Sequence, residues 1–141
     1  MFYYQLKSTK NMDIRNELFK NYPDPTYLVK IRKLNRPLIE VRFKLSNELA
    51  AIAVLNKFGR HLKLCLIIVH KEYKNRNLGN SIIKVIKDMF LNDFNDVDIL
   101  YTVCPHQFNT DTYQKLLIKN GFQVTTIKAN GDIVYTYAKS I

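Results

Sequence analysis

The chain has 141 residues, a length that suits a single domain over residues 1–141 built around one core. Hydrophobic residues make up 47%, enough to offset the entropy of folding and to exclude a disordered chain. The net charge of +10 bears on partners and solubility rather than on fold. The longest apolar run, Leu64-Cys65-Leu66-Ile67-Ile68-Val69, is far short of the roughly 20 residues a spanning helix needs, so no membrane association is expected. The first residues, Met1 to Leu6, lack the basic and long apolar regions of a signal peptide. Cys65 and Cys104 have neither metal-ligand spacing nor a disulfide framework. A reduced, cytoplasmic protein is therefore expected.

In chain order, Phe2 to Leu6 reads as a strand and Asn11 to Asn21 as a helix, with Ile14 and Leu18 on one face and Pro23 and Pro25 beyond its end. Tyr27 to Leu34 reads as a short basic helix closed by Pro37. In Leu38 to Lys44, Ile39, Val41 and Phe43 alternate with Glu40, Arg42 and Lys44, the pattern of a half-buried strand. Ser46-Asn47 turns into a strand over Leu49 to Phe58, and Gly59-Arg60 into another over Leu62 to Val69. The latter is apolar on both faces near its end, as a central strand would be.

A polar loop, His70 to Asn77, leads to a helix with an apolar stripe of Ile82, Ile83, Ile86, Met89 and Phe90. Ile99 to Val103 is a strand. A second helix opens at Asn109 or Thr110, either of which can cap it, carries Tyr113, Leu116 and Leu117 inward, and ends at Gly121. Phe122 to Ile127 and Ile133 to Tyr137 form a hairpin through Asn130-Gly131. The fold class is α/β of the mixed α+β kind.

Charge is unevenly placed. Lys30, Arg32, Lys33, Arg36, Arg42 and Lys44 crowd one stretch, while Asp88 to Gln114 contains five aspartates and neither Lys nor Arg. A basic face and a mildly acidic one are expected.

The segment from Val69 to Ser81 carries the chemistry. A buried strand ends, basic residues turn, and a helix opens near Leu78. Unpaired N–H groups and the positive dipole end of a helix start together favour an anion. Gly79 lets backbone approach a ligand, Asn77 tolerates left-handed geometry, and Lys74 and Arg76 add charge for a pyrophosphate. The plain alternative is an ordinary strand-to-helix turn with solvated basic residues.

This segment resembles motif A of the GNAT superfamily of N-acetyltransferases, in which a loop of pattern Arg/Gln-x-x-Gly-x-Gly/Ala opens a helix. Lys74, Asn77 and Gly79 fall at the defining positions, with Lys for Arg/Gln and Asn for the first Gly, and Ile82-Ile83 match the aliphatic pair that follows. A second register places Arg76, Gly79 and Ser81 there. Asn109 to Phe122 resembles the family's motif B, a helix opened near an Asn and closed by Gly-Phe. The order of elements agrees over most of the chain.

The resemblance implies a mostly antiparallel central sheet with splayed fourth and fifth strands, and acetyl-CoA as cosubstrate. It implies cofactor contacts from Ile67, Val69, Lys74, Asn75, Arg76, Asn77, Leu78, Gly79 and Asn80, with Asn109 on the far side, and no metal. The tyrosine that motif B often places four residues before its Gly is Leu117 here. Tyr113, one turn earlier, is the candidate acid, its alternative being a packed core aromatic. His106, after the fifth strand, is the candidate proton carrier, since an imidazole titrates near neutrality. Its alternative is a surface-loop histidine. Cys104 reads as a small core residue rather than a covalent nucleophile.

The acceptor implied is a primary amine. The basic stretch from Lys30 favours one that is anionic or linked to nucleic acid, and an oligomer is compatible with the sequence. Two other readings stand beside transfer: a basic nucleic-acid-binding α/β module, and a catalytically degenerate fold that binds coenzyme A without turnover.

Overall fold

The computed structural model describes residues 2–8, 37–43, 46–73, 76–106 and 110–139. The helices expected over Asn11–Asn21 and Tyr27–Leu34 lie outside them. The strands are β1 (Phe2–Ser8), β2 (Pro37–Phe43), β3 (Leu49–Phe58), β4 (His61–Val69), β5 (Ile99–Cys104), β6 (Gln123–Ile127) and β7 (Ile133–Ala138). A 3-10 turn, Lys71–Tyr73, precedes α1 (Leu78–Asn92), and α2 (Asp111–Lys119) follows β5. The described residues of Met1–Asn56 with Leu66–Leu78 form one compact unit, and those of Lys57–Cys65 with Gly79–Ile141 a second. Among the described residues no helix is long and apolar enough to cross a membrane.

In the first unit the strands run in the order β1-β2-β3-β4. β1 and β2 pair antiparallel from Phe2↔Phe43 to Ser8↔Pro37, and β2 pairs antiparallel with β3. Pro37 opens β2, a strand position at which a missing N–H is tolerated. Leu49 to Leu55 are buried without a break, so β3 is covered on both faces. The turn before β3 is made by Asn47 at φ 59, with the Glu48 N–H donating to Ser46 Oγ at 3.2 Å. At the far end of β4, the His70 N–H donates to the Ala50 carbonyl at 2.8 Å.

In the second unit the order is β4-β5-β7-β6. β4 and β5 are parallel and their register comprises three pairs, His61↔Ile99, Leu62↔Leu100 and Lys63↔Tyr101. β5 continues to Cys104 and stays paired with β7 throughout. The expected stripe on α1 is inside: Ile82, Ile83, Ile86 and Phe90 are buried and Met89 is half-buried. Within the acidic stretch, Lys57 pairs with Asp96 and Arg60 grips Asp98 through two bonds of 2.7 Å.

α2 ends as Gly-Phe dictates. Gly121 at φ 88 donates to the Ile118 carbonyl at 3.0 Å, and Phe122 donates to Leu117 at 3.0 Å. Leu117 and Phe122 are both buried, which completes a Schellman stop with its apolar contact. The helix start differs from expectation. Thr110 occupies the cap position, but its hydroxyl makes no cap bond and instead accepts from Gln114 Nε2 at 2.8 Å. The expected hairpin through Asn130-Gly131 forms: β6 pairs antiparallel with β7, the Lys128 N–H donates to the Asp132 carbonyl at 2.8 Å and the Gly131 N–H to the Lys128 carbonyl at 2.9 Å. Gly131 at φ 94 closes a three-residue loop.

A buried amide pair ties the two helices. Asn120 Nδ2 donates to Asn80 Oδ1 at 2.9 Å and to the Leu116 carbonyl at 2.8 Å, while the Asn120 carbonyl accepts from Lys87 Nζ at 2.6 Å. Asn120→Ala would leave the Asn80 oxygen buried without this donor and is expected to cost about 1–3 kcal/mol in chemical denaturation. The double variant Asn80→Ala/Asn120→Ala is expected to cost less than the sum of the single ones, as coupled partners do.

Candidate active site

The described residues of the Val69–Ser81 segment place a strand end, a turn and a helix start in the expected order. β4 ends at Val69, the chain makes its 3-10 turn, and Asn77 takes φ 59, the left-handed geometry anticipated for it. α1 then begins at Leu78 with no acidic residue in its first turn, so no carboxylate there competes with an incoming anion. Lys74, Asn75 and Asn109 lie outside the described residues. Ile67 and Val69 are half-buried, Leu78 is buried, and Arg76 and Asn77 are exposed.

Gly79 has a packing reason as well as the expected one. A Cβ there would lie 3.3 Å from Leu116 Cδ1 of α2, so a bulky residue would displace that side chain. The Asn80 side chain is likewise committed to Asn120, which leaves its backbone as the part suited to a ligand.

Tyr73 is a residue the sequence reading left without a role. Its buried ring meets Phe2 edge-on at 5.9 Å and His70 at 6.0 Å, and its hydroxyl donates to Glu48 Oε2 at 3.0 Å. Burial first, and the Glu48 bond second, push its hydroxyl above the usual tyrosine range. The Arg76 guanidinium lies over the ring, 5.5 Å from its centre. Glu48, His70 and Glu72 also bring three potential metal-ligand atoms within 4.8 Å of one another. Of these groups, Glu48 accepts the Tyr73 hydroxyl and His70 Nδ1 accepts the Glu72 backbone N–H at 3.2 Å.

Tyr113 reaches the place where the β4–β5 register ends. Its hydroxyl is 2.9 Å from Thr102 Oγ1, which donates to the Leu64 carbonyl at 3.0 Å. Thr102 has one proton and the carbonyl takes it, so Tyr113 must be the donor to Thr102. Burial holds the Tyr113 hydroxyl far above the usual tyrosine range. Leu117 is fully buried. Cys104 is a buried free thiol whose pKa burial raises, consistent with a core residue.

His106 is exposed but held. Asp132 Oδ1 accepts from its Nδ1 at 2.8 Å and from its backbone N–H at 3.0 Å, which sets Nε2 as the proton-accepting nitrogen of the neutral ring. Asn130 donates to the other Asp132 oxygen at 3.2 Å, and the His106 ring packs on Gly131. His61 sits edge-on to Tyr101 at 6.1 Å. Asp132 was missed in the sequence because nothing local links position 132 to 106; only the β5–β7 pairing Cys104↔Ile133 brings the two loops together.

No family model matches the sequence, and neither does any curated protein. Solved structures match its fold. A GNAT family acetyltransferase from Elizabethkingia anophelis with acetyl-CoA bound aligns with a TM-score of 0.73 at 16% identity, covering 98% of each chain. The Campylobacter jejuni N-acetyltransferase PseH in complex with acetyl coenzyme A gives 0.73 at 13% identity, over 98% of this chain and 100% of that one. The IAA acetyltransferase from Bacillus cereus gives 0.74 at 10%, over 99% and 100%. The chain therefore has the GNAT acetyltransferase fold.

The His106 bonds hold the Asp132 carboxylate below its ordinary pKa. Such a group stabilises the fold above its unfolded pKa of about 3.9, and the stabilisation is lost as pH falls through the lowered folded value. In thermal melts across pH, the deficit of Asp132→Asn relative to wild type is expected near neutrality and should close in acid.

Proposed function

We propose that this chain, which has the fold of the GNAT acetyltransferases, is an acetyl-CoA-dependent N-acetyltransferase that works as one domain over residues 1–141 and acts on a primary amine. The observation that carries the reading is the opening of α1: left-handed Asn77, exposed Arg76 and a first turn free of acidic residues, on the helix that follows β4 in the chain. The helix-start N–H groups of residues 78–80 receive the pyrophosphate, and Lys74, Asn75 and Arg76 add donors and charge. Backbone groups of Ile67 and Val69 pair with the pantetheine arm, and Asn109 contacts it from the α2 side.

In the reaction a neutral amine adds to the thioester carbonyl, the C–S bond breaks, and the amine proton leaves as the thiolate gains one. The fold contributes mainly orientation. His106, its Nδ1 fixed by Asp132, is the group suited to receive the amine proton at Nε2. Tyr113, the other candidate, is a weak acid whose proton is spent on Thr102, so solvent supplies the thiolate. Leu117 and the committed Tyr113 hydroxyl also support the second reading, a fold that binds acetyl-CoA without turnover. The basic residues from Lys30 to Lys44 favour an acidic or nucleic-acid-linked amine over a polycation, since like charges repel over a Debye length of about 8 Å.

Calorimetry with acetyl-CoA is expected to show binding, and Arg76→Ala to weaken it by about 1 kcal/mol, because the helix-start amides remain. Wild type that shows neither heat nor a melting shift at millimolar acetyl-CoA overturns the proposal, and a response to short nucleic acid alone would point to the basic module instead.

Thioester consumption with acidic peptides, aminoacyl-tRNA and spermidine separates turnover from bare binding. Tyr113→Phe is expected to leave the rate unchanged, and acidic acceptors are expected to react faster than spermidine, with the difference shrinking at high salt.

A further inference from the structure

Four contacts meet on the ring of Tyr73. Phe2 of β1 and His70 at the end of β4 press on it edge-on, Glu48 at the start of β3 holds its hydroxyl, and the Arg76 guanidinium lies over it at 5.5 Å. The ring is itself buried, at 7% exposure, whereas Arg76 is exposed. A fixed aromatic face under a solvent-facing cation restricts where that cation can go. A cation–ring attraction is not a hydrogen bond, so it restrains the guanidinium without itself using the N–H groups by which an arginine reads a phosphate.

We propose that Tyr73 is a positioning residue for the acyl donor: its ring, anchored by Phe2, His70 and Glu48, holds the Arg76 guanidinium ready for the pyrophosphate of coenzyme A. This inference rests on the acetyl-CoA reading above and deepens it. An unrestrained arginine surrenders rotamer freedom when it engages a ligand, and a guanidinium already held over the ring surrenders less. Tyr73 itself need not touch the ligand, so a list of cofactor contacts would omit it.

The test is calorimetry with acetyl-CoA and with S-acetylpantetheine, which lacks the pyrophosphate. Tyr73→Leu is expected to weaken acetyl-CoA binding roughly two- to fivefold, the range a partly exposed cation–ring contact supports. It should add no further loss in an Arg76→Ala background and should not change the affinity for S-acetylpantetheine. Tyr73→Phe, which keeps the ring, should recover most of the affinity. Should Tyr73→Leu fold poorly by its melting temperature, phenylalanine and its ring-fluorinated analogues at position 73 replace it. They keep the shape and drain the negative face, and affinity should fall with each added fluorine.

Additive losses in the double variant, equal losses with both ligands, or indifference to fluorination would overturn the role of Tyr73 while leaving acetyl-CoA binding in place. Wild type that fails to bind acetyl-CoA at all would overturn the acyltransferase reading, and this inference with it.

Discussion

Thr102 gives its one hydroxyl proton to the Leu64 carbonyl at 3.0 Å, just where the parallel register between β4 and β5 has run through its last pair, Lys63↔Tyr101. A carbonyl at the end of a ladder needs a donor, and here a side chain supplies it. The bond also decides the chemistry of its neighbour. Because Thr102 has no second proton, Tyr113 must donate inward, and the residue that stands one turn from the usual acid position becomes a support for the strand end. The same hydroxyl cannot be both a buried donor to Thr102 and a ready proton source for a leaving thiolate. In the proposed reaction this shifts the proton chemistry to His106 and solvent, and leaves positioning as the larger part of the catalysis.

The proposed anion site at the start of α1 depends on a different economy. The backbone amides of a helix start are available in any helix, and what matters is whether the chain arrives correctly and what else is nearby. Asn77 at φ 59 turns the chain, the first turn of α1 carries no carboxylate, and Arg76 rests over an immobilised ring. Gly79 joins this to the rest of the second unit, since the hydrogen that replaces its side chain is also what lets Leu116 of α2 come close. Packing against Leu116 is therefore a reason for this glycine besides the proposed approach of a ligand, and its presence in a motif does not by itself say which demand put it there.

Much was legible in the order of residues. The strand over Leu49–Phe58, the helix from Leu78, the stop at Gly121-Phe122 and the left-handed Asn77 follow from periodicity and from the backbone preferences of single residue types. These are local properties, set by a few consecutive side chains, and a sequence displays them directly. The likeness to motifs A and B is local in the same sense, and it led to the fold that the acetyltransferase structures share.

Partners far apart in the chain were decided only by the tertiary structure. Tyr73 and Glu48 are 25 positions apart, Thr102 and Leu64 are 38, Asn120 and Asn80 are 40, and His106 and Asp132 are 26. One misreading was local: Thr110 can cap a helix, but its hydroxyl accepts from Gln114, one turn on. A side chain with several acceptable partners takes the one that the pairing of strands brings within about 3 Å. The sequence by itself determined the elements and the left-handed Asn77 at the start of α1, because those depend on neighbours along the chain. Which hydroxyl is spent, which imidazole nitrogen is left to accept a proton and which ring lies beneath Arg76 depend on neighbours in space.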